Sequence, residues 1–160
     1  MDDEAFERLA HEVQPRLLRL GWVLTADPEQ ARDLVQETLV RAFVHKRRVA
    51  KAEFPYAYLR TTLLNVWRSQ KRRPVELVGR PIPESVIHDA FPLERAALRE
   101  ALAELPPRQR AVVALRHLDD LSVRQTAEIL GCSPQTVTTQ CARALARLSV
   151  NPILADFRED

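Results

Sequence analysis

The chain of 160 residues is poor in three things: it has three glycines, two cysteines and 6% aromatic residues. Glycine this scarce argues against the turn-rich pattern of an all-β protein, and it leaves no glycine-rich phosphate loop. The cysteines, Cys132 and Cys141, have no neighbouring His or Cys to complete the ligand set of a structural zinc ion, so they read as cytosolic packing thiols. No apolar run approaches the roughly 20 residues of a membrane span. The acidic start Met1, Asp2, Asp3, Glu4 is unlike a secretory signal. These absences point to a soluble, cytoplasmic protein with no membrane insertion, no metal and no cofactor.

What is abundant is Leu, Ala, Arg and Glu, which favour helix, so the expected fold class is all-α. The formal net charge of +2 hides an asymmetry. Residues 41–73 carry Arg41, Lys46, Arg47, Arg48, Lys51, Arg60, Arg68, Lys71, Arg72 and Arg73 against Glu53 alone. Such a field suits a polyanion. The first forty residues lean acidic instead, with Asp2, Asp3, Glu4, Glu7, Glu12, Asp27, Glu29, Asp33 and Glu37 against Arg8, Arg16, Arg19 and Arg32.

Pro74, Gly79, Pro81, Pro83 and Pro92 mark residues 74–92 as a flexible linker. It separates two small helical domains, 1–73 and 93–150, and leaves a short tail at 151–160. In the first domain, residues 6–25 read as helix with a break at Pro15. Asp27, Pro28, Glu29 and Gln30 have the form of a helix start. The helix that follows, to about His45, should bury Ala31, Leu34, Val35, Thr38, Leu39, Ala42 and Phe43. Gln30, Asp33, Glu37 and Arg41 should then form an exposed, largely acidic stripe. A further helix from Pro55 to about Arg72 should bury Tyr56, Leu59, Leu63, Val66 and Trp67, leaving Thr61, Asn65, Arg68 and Arg72 outside. The connector at 45–54 is basic.

In the second domain, residues 93–105 and 108–118 show helical periodicity on either side of Pro106 and Pro107. Ser122 with Gln125 is a capping box, Gly131 ends the helix it opens, and Ser133 with Pro134 starts the last one, reaching about Leu148. Ala127, Gly131 and Val137 are spaced as a helix-turn-helix requires: a small residue for close approach, a glycine for the left-handed turn and a valine to pack one helix on the other. The same spacing also fits an ordinary αα-hairpin. The outer face of the last helix, Gln135, Thr136, Thr138, Thr139 and Arg143, has no acidic residue and suits base edges and phosphates.

Three segments carry a resemblance across nearly the whole chain: Asp33, Leu34, Val35, Gln36, Glu37 and Thr38; residues 56–73; and the stretch from Leu105, Pro106, Pro107 and Arg108 through Leu148. In this order they resemble the extracytoplasmic-function sigma factors of bacterial RNA polymerase, especially an actinobacterial sigma-E-like branch. The resemblance implies that Asp33, Gln36, Glu37 and Arg41 face the clamp of the polymerase's largest subunit. It implies that Arg47, Arg48, Lys51, Phe54, Arg60, Asn65, Arg68, Lys71 and Arg72 hold and open the −10 element. Residues 47–54 would accept an unstacked base. It further implies that Arg116 grips a phosphate while Ser133, Gln135, Thr136, Thr138, Thr139 and Arg143 approach the −35 element. Thr138, Thr139 and Gln140 stand where relatives often place a basic residue, a serine and another basic residue, which weakens the phosphate grip there. An anti-sigma factor is a further partner the family implies.

Two other readings stay open on the residues alone. One is a stand-alone helix-turn-helix regulator whose first domain binds an effector or dimerises. The other is an enzyme acting on nucleic acid, against which stands the lack of an acidic metal cluster or a Cys/His nucleophile arrangement, so that no catalytic residue is assigned.

Overall fold

The computed structural model describes residues 1–70, 82 and 96–150, and every regular element among them is helical. Lys71, Arg72 and Arg73, the linker expected at 74–92 apart from Ile82, the start of the helix expected from Leu93 and the tail 151–160 lie outside the described residues. By backbone proximity the chain divides into two compact units, Met1–Gly21 with Pro28–Phe91 and Trp22–Asp27 with Pro92–Asp160.

Helix α1 spans Asp3–Thr25. Its start is capped by Asp2, whose Oδ1 accepts from the Ala5 amide at 2.7 Å. The break expected at Pro15 does not occur; the proline sits inside an unbroken helix. A proline there removes one donor and costs about 3 kcal/mol relative to alanine. Burial of Val13, Leu17, Leu18 and Leu20 around it offsets that, at about 1.5–3 kcal/mol per large apolar side chain.

Helix α2, Pro28–Val44, begins at the expected proline. Its buried set is wider than a single stripe: Leu34, Val35, Gln36, Glu37 and Thr38 are consecutive and all buried. Five adjacent positions cover more than one turn of 3.6 residues, so the helix is enclosed on all sides along that turn, while its ends, Glu29 with Gln30 and Phe43 with Val44, are exposed. Thr38 meets its buried surroundings by donating its hydroxyl to the Leu34 carbonyl at 2.7 Å. Phe43, expected inside, is 41% exposed and packs edge-on against Phe6 with ring centroids 5.4 Å apart.

The basic connector is not irregular: residues Lys46–Lys51 form the short helix α3, which buries Val49. Helix α4, Pro55–Gln70, packs on α2 and α3. It buries Leu59, Leu63, Val66 and Trp67 as expected, and Arg60 and Leu64 besides. Tyr56 is only half-buried; the Arg16 guanidinium of α1 lies 3.6 Å from its ring centre and that of Arg60 5.7 Å.

In the second unit, α5 is Ala96–Ala103 and α6 is Pro107–Val113, with Pro107 in its first turn. Helix α6 runs straight into a π-helical turn, Ala114–Leu118. Helix α7, Val123–Leu130, opens on the capping box: Ser122 Oγ accepts from the Gln125 amide at 3.0 Å and the Gln125 side chain accepts from the Ser122 amide at 2.9 Å. It closes on Gly131 at φ 70°, a left-handed position that suits glycine. Helix α8, Pro134–Val150, starts with the Thr136 amide donating to Ser133 Oγ at 3.1 Å. Val112, Ala127 and Val137 form the small core that clamps α6, α7 and α8 together.

Candidate nucleic-acid interface

Three surfaces follow from this packing. On α2, only Gln30 of the expected largely acidic stripe is fully exposed. Gln36 and Glu37 are buried, while Asp33 and Arg41 are half-exposed. The Arg41 Nε donates to Glu37 Oε1 at 2.7 Å. Helical periodicity predicts which residues share a face, but the faces covered depend on how many neighbours the helix has. Here α2 presents Glu29 and Gln30 exposed at its start, Asp33 half-exposed, and one paired arginine.

The second surface is basic. Arg47, Arg48 and Lys51 are exposed on α3, Asn65 and Arg68 on α4, and Phe54 between them is 68% exposed. Arg60, expected among them, is 9% exposed and turned inward against Tyr56. Its position one turn after Tyr56 puts it on the packed side of α4, opposite Asn65. Lys46 is drawn into an ion pair with Asp3 and lies over the Phe43 ring. Lys71 and Arg72 fall outside the described residues. Asn65 lines a groove of about 320 Å³ with Val40, Arg41, Ala42, Val44, His45, Tyr58 and Thr62. Reasoning from charge missed this groove, because its walls are mostly uncharged.

The third surface is the outer face of α8. Gln135, Thr138 and Arg143 are exposed and Thr139 is half-exposed. Ser133 and Thr136 are partly committed to the cap, their hydroxyls 2.9 Å apart. Arg116 sits in the π-helical turn with its guanidinium directed at the Leu121 carbonyl. Arg110 donates to the Leu105 carbonyl at 3.3 Å, and burial lowers the pKa of its guanidinium. The two cysteines pack against the Val112, Ala127 and Val137 core. Folding brings to Cys141 a histidine that is remote in sequence: His117 Nε2 is 3.4 Å from its Sγ. Among the described residues no group of three or more His, Cys, Asp or Glu side chains is placed to hold a metal ion, and no helix is long and apolar enough to cross a membrane.

Comparison with known proteins separates the chain in the same order. Residues 9–74 match the family model described as sigma-70 region 2, and residues 95–148 match sigma-70, region 4. The RNA polymerase sigma-E factor of Streptomyces coelicolor is 36% identical over 158 residues, which cover 95% of this chain and 88% of that protein. An ECF RNA polymerase sigma factor of Mycobacterium tuberculosis, SigM, is 29% identical across 92% of this chain and 77% of its own. Among solved structures, the sigma factor RpoE of Bartonella quintana, in complex with the anti-sigma factor NepR, aligns with a TM-score of 0.69 at 25% identity, covering 92% of this chain and 99% of that one. CnrH, in complex with the cytosolic domain of CnrY, aligns with a TM-score of 0.63, covering 98% and 91%.

Proposed function

This chain belongs to the sigma-70 family as an RNA polymerase sigma factor of the extracytoplasmic-function type, and from that premise we propose how its surfaces divide the work. It binds core polymerase and directs promoter-specific initiation through −35 and −10 elements, with melting of the DNA between them and the start site. Residues 1–73 engage polymerase and the −10 element, 74–92 link, 93–150 engage the −35 element, and 151–160 form a tail. Asp33, Gln36, Glu37 and Arg41 meet the clamp of the largest subunit, where Asp33 and Arg41 offer the more accessible charges. Arg47, Arg48, Lys51, Arg68, Lys71 and Arg72 track the opened strand. Phe54 and the groove beside Asn65 take an unstacked base, since single-strand recognition needs cationic tracking and a pocket. Gln135, Thr138, Thr139 and Arg143 enter the major groove at −35.

One observation carries this reading: a basic α3–α4 face and a capped helix-turn-helix lie in one chain in the order of regions 2 and 4. The chemistry of RNA synthesis stays with the polymerase, so the chain works without a catalytic site or cofactor of its own, in the cytoplasm. An anti-sigma factor as regulating partner is supported by the solved RpoE complex.

The test is reconstitution. Core polymerase with the full chain, in run-off transcription on a genomic library, should yield discrete start sites preceded by a shared two-part element. A chain that binds duplex DNA by itself but neither copurifies with core nor initiates would be a stand-alone helix-turn-helix regulator instead.

A further inference from the structure

The resemblance assigns Arg116 to the DNA, but the geometry around it points inward. Its Nη1 donates to the Leu121 carbonyl five residues on, and its Nε is buried without a hydrogen-bond partner among the described residues. An arginine that clamps a phosphate presents its planar fork of donors outward, where two parallel bonds can form. Here one arm of the fork is already engaged and the stem is covered.

The segment it holds has the features of a built hinge. The π-helical turn Ala114–Leu118 closes with the Asp119 amide donating to the Ala114 carbonyl at 3.1 Å. The Leu121 amide then reaches back to the Leu115 carbonyl at 3.0 Å. Between them Asp120 stands at φ 52°, a left-handed conformation that glycine adopts freely and aspartate only as an occasional single residue. Ser122, the next residue but one, is the cap of α7. Leu121 is thus gripped on both its amide and its carbonyl, immediately before the residue that sets where the helix-turn-helix begins.

We propose that Arg116 is a positioning residue for −35 recognition rather than a phosphate ligand: it latches Leu121 in the strained turn and so fixes the entry of α7, and through the Val112, Ala127 and Val137 core the pose of α8. This rests on reading α7 and α8 as the −35 module. The latch holds the turn while Asp120 strains it, so relieving the strain should make the latch dispensable. Removing a mere phosphate contact could not be repaired that way.

Holoenzyme reconstituted from the full chain, with a fluorescein-labelled duplex of a promoter recovered by run-off transcription, measures this by anisotropy across a KCl series. Arg116→Ala should weaken binding about five- to ten-fold with the parental salt slope, and lower the melting temperature of the free chain. Arg116→Ala with Asp120→Gly should recover most of the affinity. Arg116→Gln removes the charge, and its amide, two bonds shorter than Nη1, does not reach the Leu121 carbonyl; it should weaken binding as the alanine does with the parental slope, and it serves if the alanine variant fails to fold. Arg143→Ala is the control, expected to flatten the slope by about one unit. A flattened slope in Arg116→Gln, or a double variant no tighter than Arg116→Ala, overturns the proposal. A parental slope in Arg143→Ala fells the docking reading itself.

Discussion

Glu37 and Asp33 lie four residues apart on α2, yet their environments separate them. The Glu37 carboxylate, 11% exposed at its side chain, is bonded to Arg41, whereas Asp33 is half-exposed. Glu37→Lys therefore puts a cation beside Arg41 in a covered position and should cost roughly 1–3 kcal/mol of stability, read by chemical denaturation. Asp33→Lys, at a more exposed position, should cost less stability than Glu37→Lys and weaken core-polymerase pull-down. Unchanged pull-down by a folded Asp33→Lys variant would remove this face from the interface. Residue-level exposure is where the sequence is least informative. Spacing groups Glu37 with Arg41 correctly, as their bond attests, but says nothing of Glu37 being buried while Arg41 stays half-exposed. Arg60 fails for a related reason: a charged residue reads as exposed until the aromatic ring it leans on, Tyr56, and the second cation on that ring, Arg16, are seen together.

The helices themselves were far more legible, because their ends rest on local chemistry. Pro28, the Ser122–Gln125 box, Gly131 and the Ser133–Pro134 start all lie where their side chains and φ preferences demand, and each involves partners within a few residues. Ser122→Ala should accordingly lower stability by about 1 kcal/mol through the loss of an N-cap. A melting curve superimposed on the parent's would mean that the box adds nothing. Pro15 is the counterexample. Its local signal is a break, but the leucines that follow are wholly buried and hold α1 continuous through it. Because the helix persists despite a missing donor, Pro15→Ala should stabilise the chain by roughly 1–3 kcal/mol. A loss of stability would show that the backbone around residue 15 is adapted to proline. The short helix α3 is not legible in the sequence, because one turn and a half of mostly basic residues carries too little apolar periodicity, with Val49 its only buried side chain.

At the scale of the whole molecule, the proposed division, a basic face for the opened strand followed by a helix-turn-helix for the duplex, is what would separate a sigma factor from an ordinary activator or repressor: its first domain would act on DNA that has come apart. Asn65 and Arg68 share the exposed side of α4, with Asn65 on the groove wall. Unstacking a base costs a few kcal/mol, so contacts made only with the opened strand can decide that equilibrium. The direct measurement is open-complex formation by Asn65→Ala/Arg68→Ala holoenzyme, followed by permanganate footprinting and abortive initiation on duplex and on templates mismatched across the −10 element. The expected result is normal assembly and −35 binding, a clear defect on duplex, and a rescue on the mismatched template larger than the parent's gain. An equal defect on both templates would contradict a role in melting.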